Sequence, residues 1–591
     1  MLTSRRLVSA FLATALAAPL AAQQTRAERT KYTETSTHAD VLAFVDSLQL
    51  RGAKVRVGSI GRTSQGREMP YVIASRPLVT TPLEARRLGR PVVYIQGNIH
   101  AGEVEGKEAL QAVLRDLVFD PKPNVLDSVV LVAVPIYNAD GNEAFRPQAQ
   151  NRGAQNGPES VGQRPNGMGL DLNRDYMKAE APETRASLAM FNAWDPDLFV
   201  DLHTTDGSFH GYALTYAPSL HPAAGIVGGT FGGAFVRDSM LPVIRQRMRA
   251  KHKFEVFDYG NFSGDEGPAA QGEARSWSSY EHLPRYGTNY YGLRGRLSIL
   301  SEAYSHDPFE RRVKSTEAFV RELLSMTAQK AKSVLAITRG SDAALMAGKV
   351  TAVPVRAALT KPGVMLPVVE EPLDTMPEAR ETLAARGAGA GRGGGDPTAG
   401  RGGRGAGAGG RGQPCPWTLS EPGVRCGFKR SGRMVTAKMP VRVTFDGTLS
   451  ATVPVAYVVP KAALPDSALH RLRLHGVVVE AAVAPGTIAG VEAFAVDSVV
   501  RRGQPFQGHT EVRLEGRWGN GAAFAAGEEL YVIRTAQPLG VLAVELLDPQ
   551  ADDGLVTWNF FDAALGGAAG RPVFPVRRLV QPIAFATRIV P

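Results

Sequence analysis

The sequence predicts an α/β fold, with a mixed, mostly parallel central sheet flanked by helices and a β-rich region following it. Two observations carry this reading. Between about residues 30 and 340, short apolar runs rich in β-branched residues alternate with segments of helical spacing. After Ile337 the long helical segments stop, and short Val-rich runs recur with Gly, Pro and Asp between them.

HADVLAFVDSLQL has helical spacing, and KVRVGSIGRTSQGREMPYVIAS then reads as a hairpin with SQG at its turn. VVYIQGNIH, VVLVAVPIY, LFVDLH and RLSILSE are apolar runs of strand length, read as buried strands. EGKEALQAVLRDL, APETRASLAMFNAW and a final STEAFVRELLSMTAQKAKSVLAI are the helices expected around them. KVTAVPVRAAL, MPVRVTFDG, ATVPVAYVVP, GVVVEAAVA and EELYVIRTA are the strand candidates of the C-terminal region. The expected divisions are 1–22, 30–340 and 341–591, the last interrupted at 385–413 by a Gly/Arg-rich tract too poor in apolar side chains to form a core.

Residues 1–22 read as an export signal: Arg5 and Arg6, then LVSAFLATALAAPL, then Ala21-Ala22 before Gln23. The apolar run is shorter than the roughly 20 residues of a spanning helix, so no stable membrane span is expected once the signal is removed. The expected location is secreted or periplasmic. Cys415 and Cys426, close together in an exported chain, suggest one local disulfide. Of the net charge of +10, Arg5 and Arg6 supply two and the Gly/Arg tract a net four, leaving +4 for the rest. That implies no broad basic surface, and nucleic acid is not an expected partner. The tract also lacks aromatic residues on which bases could stack.

The chemistry is concentrated at strand ends. His100 ends VVYIQGNIH and Glu103 follows it; His203 ends LFVDLH; Glu302 ends RLSILSE. His-x-x-Glu alone is common, and an acidic first turn suits a helix dipole without any metal. Strands with these ends on one edge, however, would bring His100, Glu103 and His203 together, with Glu302 close by. Two histidines and one carboxylate leave a zinc position open for water, and Glu302 would serve as the base. In GMGLDLNRDYMK, Asn173 and Arg174 suit the free carboxyl terminus of a peptide. Asp171 could orient a ligand histidine.

With these residues in place, the run from about 40 to 330 resembles the zinc carboxypeptidase family, peptidase family M14. The likeness rests on HAGE at His100 to Glu103, PIYNADG at Pro135 to Gly141, DLNR at Asp171 to Arg174, His203 in DLHTTDG and Glu302 in ILSEAYS, all in the family's order. The resemblance implies a Zn2+ ion held by His100, Glu103 and His203, with Glu302 as general base and acid. It implies that Asn173 and Arg174 hold the substrate's terminal carboxylate and that Asp171 orients His100. For the oxyanion arginine the choice is Arg164, with Arg146 and Arg152 as competitors. For the tyrosine over the substrate it is Tyr280, ahead of Tyr286 and Tyr290. The expected substrates are peptides or proteins. The rival readings are a zinc amidohydrolase acting on cell-wall peptides or acyl-amino acids, and a catalytically inactive binding protein on the same fold.

Other residues have plainer readings. Arg285, Arg294 and Arg296 are expected at the surface, and Glu105 and Glu108 as an acidic first helical turn. His210, His221, His252, His282 and His306 are expected as surface or hydrogen-bonded histidines. Asp206 could back His203 or cap a turn. WNFFD around Trp558 reads as core.

Overall fold

The computed structural model describes residues 24–205, 209–225, 232–263, 275–375, 424–425, 428–565 and 572–590. The expected export signal, Asp206, both cysteines and the Gly/Arg tract lie outside the described residues.

The N-terminal half is built on an eight-stranded sheet. Its strands are β1 (Val55–Arg62), β2 (Glu68–Ala74), β3 (Val92–Gly97), β4 (Val130–Val134), β5 (Leu198–Thr204), β6 (Leu214–Pro218), β7 (Val256–Asp258) and β8 (Leu297–Ala303). They lie in the order β1-β2-β4-β3-β5-β8-β6-β7. The central four, β4, β3, β5 and β8, are mutually parallel, while β1, β2 and β6 join by antiparallel pairing. The expected mixed, mostly parallel sheet is therefore present, and the β1–β2 hairpin forms where the sequence predicts it.

The central strands are buried along their whole length, as strands covered on both faces must be. Their alternate residues feed two cores. Val93, Ile95, Val200 and Leu202 pack with helices α1 (His38–Leu50), α2 (Glu105–Phe119), α5 (Phe309–Gln329) and α6 (Ala331–Met346). α1 begins with a reciprocal cap: Thr37 Oγ1 accepts the Asp40 N–H at 3.1 Å, and Asp40 Oδ2 accepts the Thr37 N–H at 2.9 Å. The single long helix expected near residues 315–337 is two helices, broken at Lys330.

The opposite residues, among them Tyr94, Val132 and Phe199, pack with α3 (Pro182–Trp194) and α4 (Gly287–Leu293). This second core does not stop at the edge of the N-terminal half. It continues without interruption into the C-terminal region, through Tyr457, Leu472, Leu542, Trp558 and Phe561.

The C-terminal region contains several sheets. β9 (Ala352–Leu359) pairs with β12 (Phe445–Thr452), and β10 (Val364–Glu370) pairs with β11 (Val435–Arg442). A seven-stranded sheet combines β13 (Ala456–Pro460), β14 (Glu480–Ala482), β15 (Val491–Arg501), β16 (Val512–Asn520), β17 (Leu530–Arg534), β18 (Arg577–Leu579) and β19 (Thr587–Ile589) in the order β16-β15-β18-β13-β17-β14-β19. The helices α7 (Asp466–Leu474) and α8 (Gly540–Leu547) are among those that interrupt the strands. No helix among the described residues is long and apolar enough to cross a membrane.

Candidate metal centre and active site

The chain leaves β3 to reach β4 on one side and returns as β5 on the other, so the carboxyl ends of β3 and β5 flank a topological switch point, where such sheets bind ligands. β3 ends at Gly97, three residues earlier than the apolar run suggests. Asn98 turns the chain with φ 68°, and its side chain donates to the Ala101 carbonyl at 3.1 Å. Glu103 N–H then donates to the His100 carbonyl at 2.9 Å. The loop stays tight against the sheet because two glycines meet there. A Cβ on Gly97 would come within 2.9 Å of the Gly106 backbone, and one on Gly106 within 2.6 Å of Leu202 Cβ.

His100, Glu103 and His203 are all buried and offer ligand atoms within 4.8 Å of one another, the only such metal-binding group among the described residues. The two histidines are arranged alike. His100 Nδ1 lies 3.1 Å from Glu103 Oε1, and His203 Nδ1 lies 2.9 Å from Glu103 Oε2. Each Nε2 faces an aspartate instead, His100 toward Asp171 Oδ1 at 3.0 Å and His203 toward Asp201 Oδ2 at 3.1 Å. An aspartate accepting a hydrogen bond from Nε2–H leaves the Nδ1 lone pair directed at the centre, the tautomer a metal needs. The donor set therefore fits a divalent cation such as zinc.

The electrostatics keep the two carboxylates beside His100 ionised. Burial alone would push the Glu103 carboxyl up, but His100 and Arg152 hold it well below the usual range. Burial likewise opposes ionisation of Asp171, and Arg164, Arg174 and His100 outweigh it. For His203, burial is outweighed by Asp201 and Glu103, which raise its pKa well above the usual value.

Asp201 is not among the residues that the sequence motifs single out. The signal was present: in LFVDLH, Asp201 and His203 are two residues apart on a strand and so share a face. Glu302 on β8 is the register partner of His203 on β5, a parallel pair that puts both side chains on the same face. Glu302 is buried and one strand removed from the ligand set.

Of the arginines, Arg164 donates to Asp171 Oδ2 at 2.9 Å and lies 3.4 Å from Glu103 Oε1. Arg152 also reaches Glu103 Oε1, at 3.1 Å, but its other nitrogen is committed to the Thr204 and Thr205 carbonyls, both at 3.2 Å. Arg146 is exposed. Asn173 sits against the ligand set with Nδ2 3.4 Å from His203 Nε2, while its Oδ1 accepts the Gly287 N–H at 2.9 Å. The Arg174 guanidinium lies 4.1 Å above the Tyr286 ring. Tyr280 packs edge-on against Tyr286 and Tyr259. Burial and the nearby charges of Tyr286 and Glu302 raise its hydroxyl pKa.

Several plainer expectations are overturned. Arg285, Arg294 and Arg296 are buried. Arg285 pairs with Glu511 at 2.5 Å and Asp553 at 2.8 Å; Arg294 donates to the His475 carbonyl at 2.8 Å; Arg296 pairs with Asp195 and Asp342, both at 2.8 Å. Glu105 and Glu108 do stand in the first turn of α2, as expected, and both are buried there. Glu105 accepts from the Thr204 hydroxyl and faces Arg312; Glu108 accepts from Thr35 at 2.8 Å and from Ser36 N–H at 2.7 Å. His210, His221, His282 and His306 are buried, and none joins the ligand group. Trp558 and Phe561 are core, as WNFFD suggests.

Residues 41–291 match the family model of the zinc carboxypeptidases, peptidase M14. Curated relatives include a probable carboxypeptidase 2 of Trichophyton verrucosum, 28% identical over 146 residues, and carboxypeptidase 2 of Trichophyton rubrum, 27% identical over 146 residues. These matches span about a quarter of the relatives' length: 24% of this chain and 24% or 23% of theirs. Among solved structures, a metallo-carboxypeptidase from Burkholderia cenocepacia matches at 20% identity and TM-score 0.35, covering 50% of this chain and 70% of that one. Carboxypeptidase A from Helicoverpa armigera matches at 16% identity and TM-score 0.36, covering 53% and 80%.

Proposed function

We propose that this chain is a zinc-dependent metallocarboxypeptidase that hydrolyses the last peptide bond of peptides or proteins. The observation that carries the proposal is the convergence of His100, Glu103 and His203, each histidine backed by an aspartate, with Glu302 in register one strand away.

Zinc, when bound by His100, Glu103 and His203, supplies a Lewis acid that lowers the pKa of water toward about 7. Glu302 takes the proton from the attacking water and passes it to the amide nitrogen as the C–N bond breaks. Arg164 stabilises the negative charge that develops on the carbonyl oxygen. Arg174, steadied by Tyr286, takes the terminal carboxylate through its planar fork, with Asn173 beside it. Tyr280 closes the substrate side near Glu302, and Asp171 keeps His100 in its ligating tautomer. Residues 1–22 are read as an export signal, so the enzyme works as a secreted or periplasmic protein.

The test compares a peptide with its C-terminal amide, using zinc-replete and chelator-treated protein. The free acid should lose its last residue only with zinc present, and the amide should resist. Equal cleavage of both would replace carboxypeptidase action with amidohydrolase action on the same centre.

A further inference from the structure

The C-terminal region reaches the candidate site at the connection between β15 and β16. There Phe506 N–H donates to the His509 carbonyl at 2.7 Å, and His509 N–H donates to the Phe506 carbonyl at 3.0 Å, closing a two-residue turn. The residues inside it, Gln507 and Gly508, have φ of 51° and 82°. Two positive φ values are the mark of a type I′ turn, which favours Asn, Asp or Gly first. Glutamine lacks that local advantage, so the turn holds a strained residue where a more comfortable one would close the hairpin as well. Such strain points to a use for the side chain.

That side chain reaches out of its own region. Gln507 Oε1 accepts the backbone N–H of Asp171 at 3.0 Å, across 336 residues of sequence. Several parts of the candidate site depend on Asp171. Its carboxylate faces His100 Nε2 at 3.0 Å, accepts from Arg164 at 2.9 Å, and caps the Asn173 N–H at 3.0 Å at the start of the turn carrying Asn173 and Arg174. The hairpin is braced on both sides of Gln507. Phe506 lies beneath the Arg285 guanidinium at 5.3 Å, and His509 lies 2.9 Å from Glu180 and 3.1 Å from Asn559.

We propose that Gln507 is a positioning residue of the active site, fixing the Asp171 backbone and through it His100 and Arg164, so that the C-terminal region completes the metal centre. The proposal rests on the metal-site reading above. It accounts for the strained glutamine, which a purely structural hairpin does not require.

The experiment uses the full chain and reads zinc affinity by chelator competition, the melting temperature of the metal-free protein, and KM and kcat separately. Gln507→Ala should weaken zinc binding about tenfold, the low end for partners of metal ligands, and lower kcat more than it raises KM. Gln507→Glu, with an acceptor oxygen at the same reach, should restore zinc affinity. His509→Gln, which loosens the same hairpin without touching Asp171, should lower the melting temperature and leave zinc affinity at the wild-type value. Wild-type zinc affinity in Gln507→Ala, or an equal loss in His509→Gln, would overturn the assignment alone. A wild-type chain that takes up no zinc would overturn the metal-site reading and this assignment with it.

Discussion

Asp201 and His203 stand two residues apart on the same face of β5, with the aspartate Oδ2 3.1 Å from the imidazole Nε2. On the other side of the centre, Asp171 makes the matching contact to His100 at 3.0 Å. The two candidate histidine ligands are thus oriented independently, one from within its own strand and one from a distant turn.

Asp201→Asn keeps the shape but removes the charge that favours the Nε2–H tautomer. Zinc affinity should fall by roughly 10- to 100-fold, the usual loss for such partners. Chelator competition measures it, and affinity equal to the wild type would remove Asp201 from the centre.

Glu302→Gln should leave zinc binding intact and abolish useful turnover, a loss on the order of 10²–10⁴-fold for a missing acid–base group. Zinc content and steady-state rates on one peptide check both halves. Substantial retained activity would move the base to another residue.

Arg285 makes a buried pair of contacts to Glu511 and Asp553 at the junction of the two regions. Arg285→Ala leaves Asp553 buried without its guanidinium, while Glu511 keeps Arg502 at 2.6 Å; removing one partner of such a buried pair costs about 3–5 kcal/mol. Urea denaturation reads the loss. Arg285→Lys should recover only part of it, since an ammonium lacks the planar fork. A change below about 1 kcal/mol, typical of exposed pairs, would show that the contact is not a buried one in solution.

His509 and Glu180 give the junction a pH dependence. The hydrogen bond to Glu180 raises His509 above its ordinary 6.5. Burial opposes ionisation of Glu180, but His509 holds it below its ordinary 4.5. The histidine's contribution is complete below pH 6.5 and is lost as pH rises through its raised value. The glutamate's contribution is present above pH 4.5 and is lost as pH falls through its lowered value. The melting-temperature gap between wild type and His509→Gln should therefore be widest between those limits and close on both sides. A gap independent of pH would mean that the pair is not ionic.

His100, Glu103, His203 and Glu302 were readable because each follows an apolar run whose length and composition reveal a buried strand. Asp201 was equally local but sat inside such a run, where a single carboxylate is easily taken for noise. Arg285 and Arg294 could not be read in the same way. Their partners in the C-terminal region lie 181 to 268 residues away, and local periodicity carries no information about a partner at that separation. Arg next to Tyr on either side of a turn looks like surface until the other region is present. The break at Lys330 was hidden for a related reason: helical spacing runs through it, and packing decides where the axis turns.

Phe199 of the central sheet, Phe191 and Trp194 of α3, Leu472 of α7, Leu542 of α8 and Trp558 all belong to one body of buried side chains. Neither half of the chain closes this core by itself. Separated, each would expose its share of that core to water. Sequence drift in the β-rich half is consequently not free. A residue there that never meets the substrate still answers for the shape of the N-terminal half, and the C-terminal region is part of that half's foundation rather than an attachment.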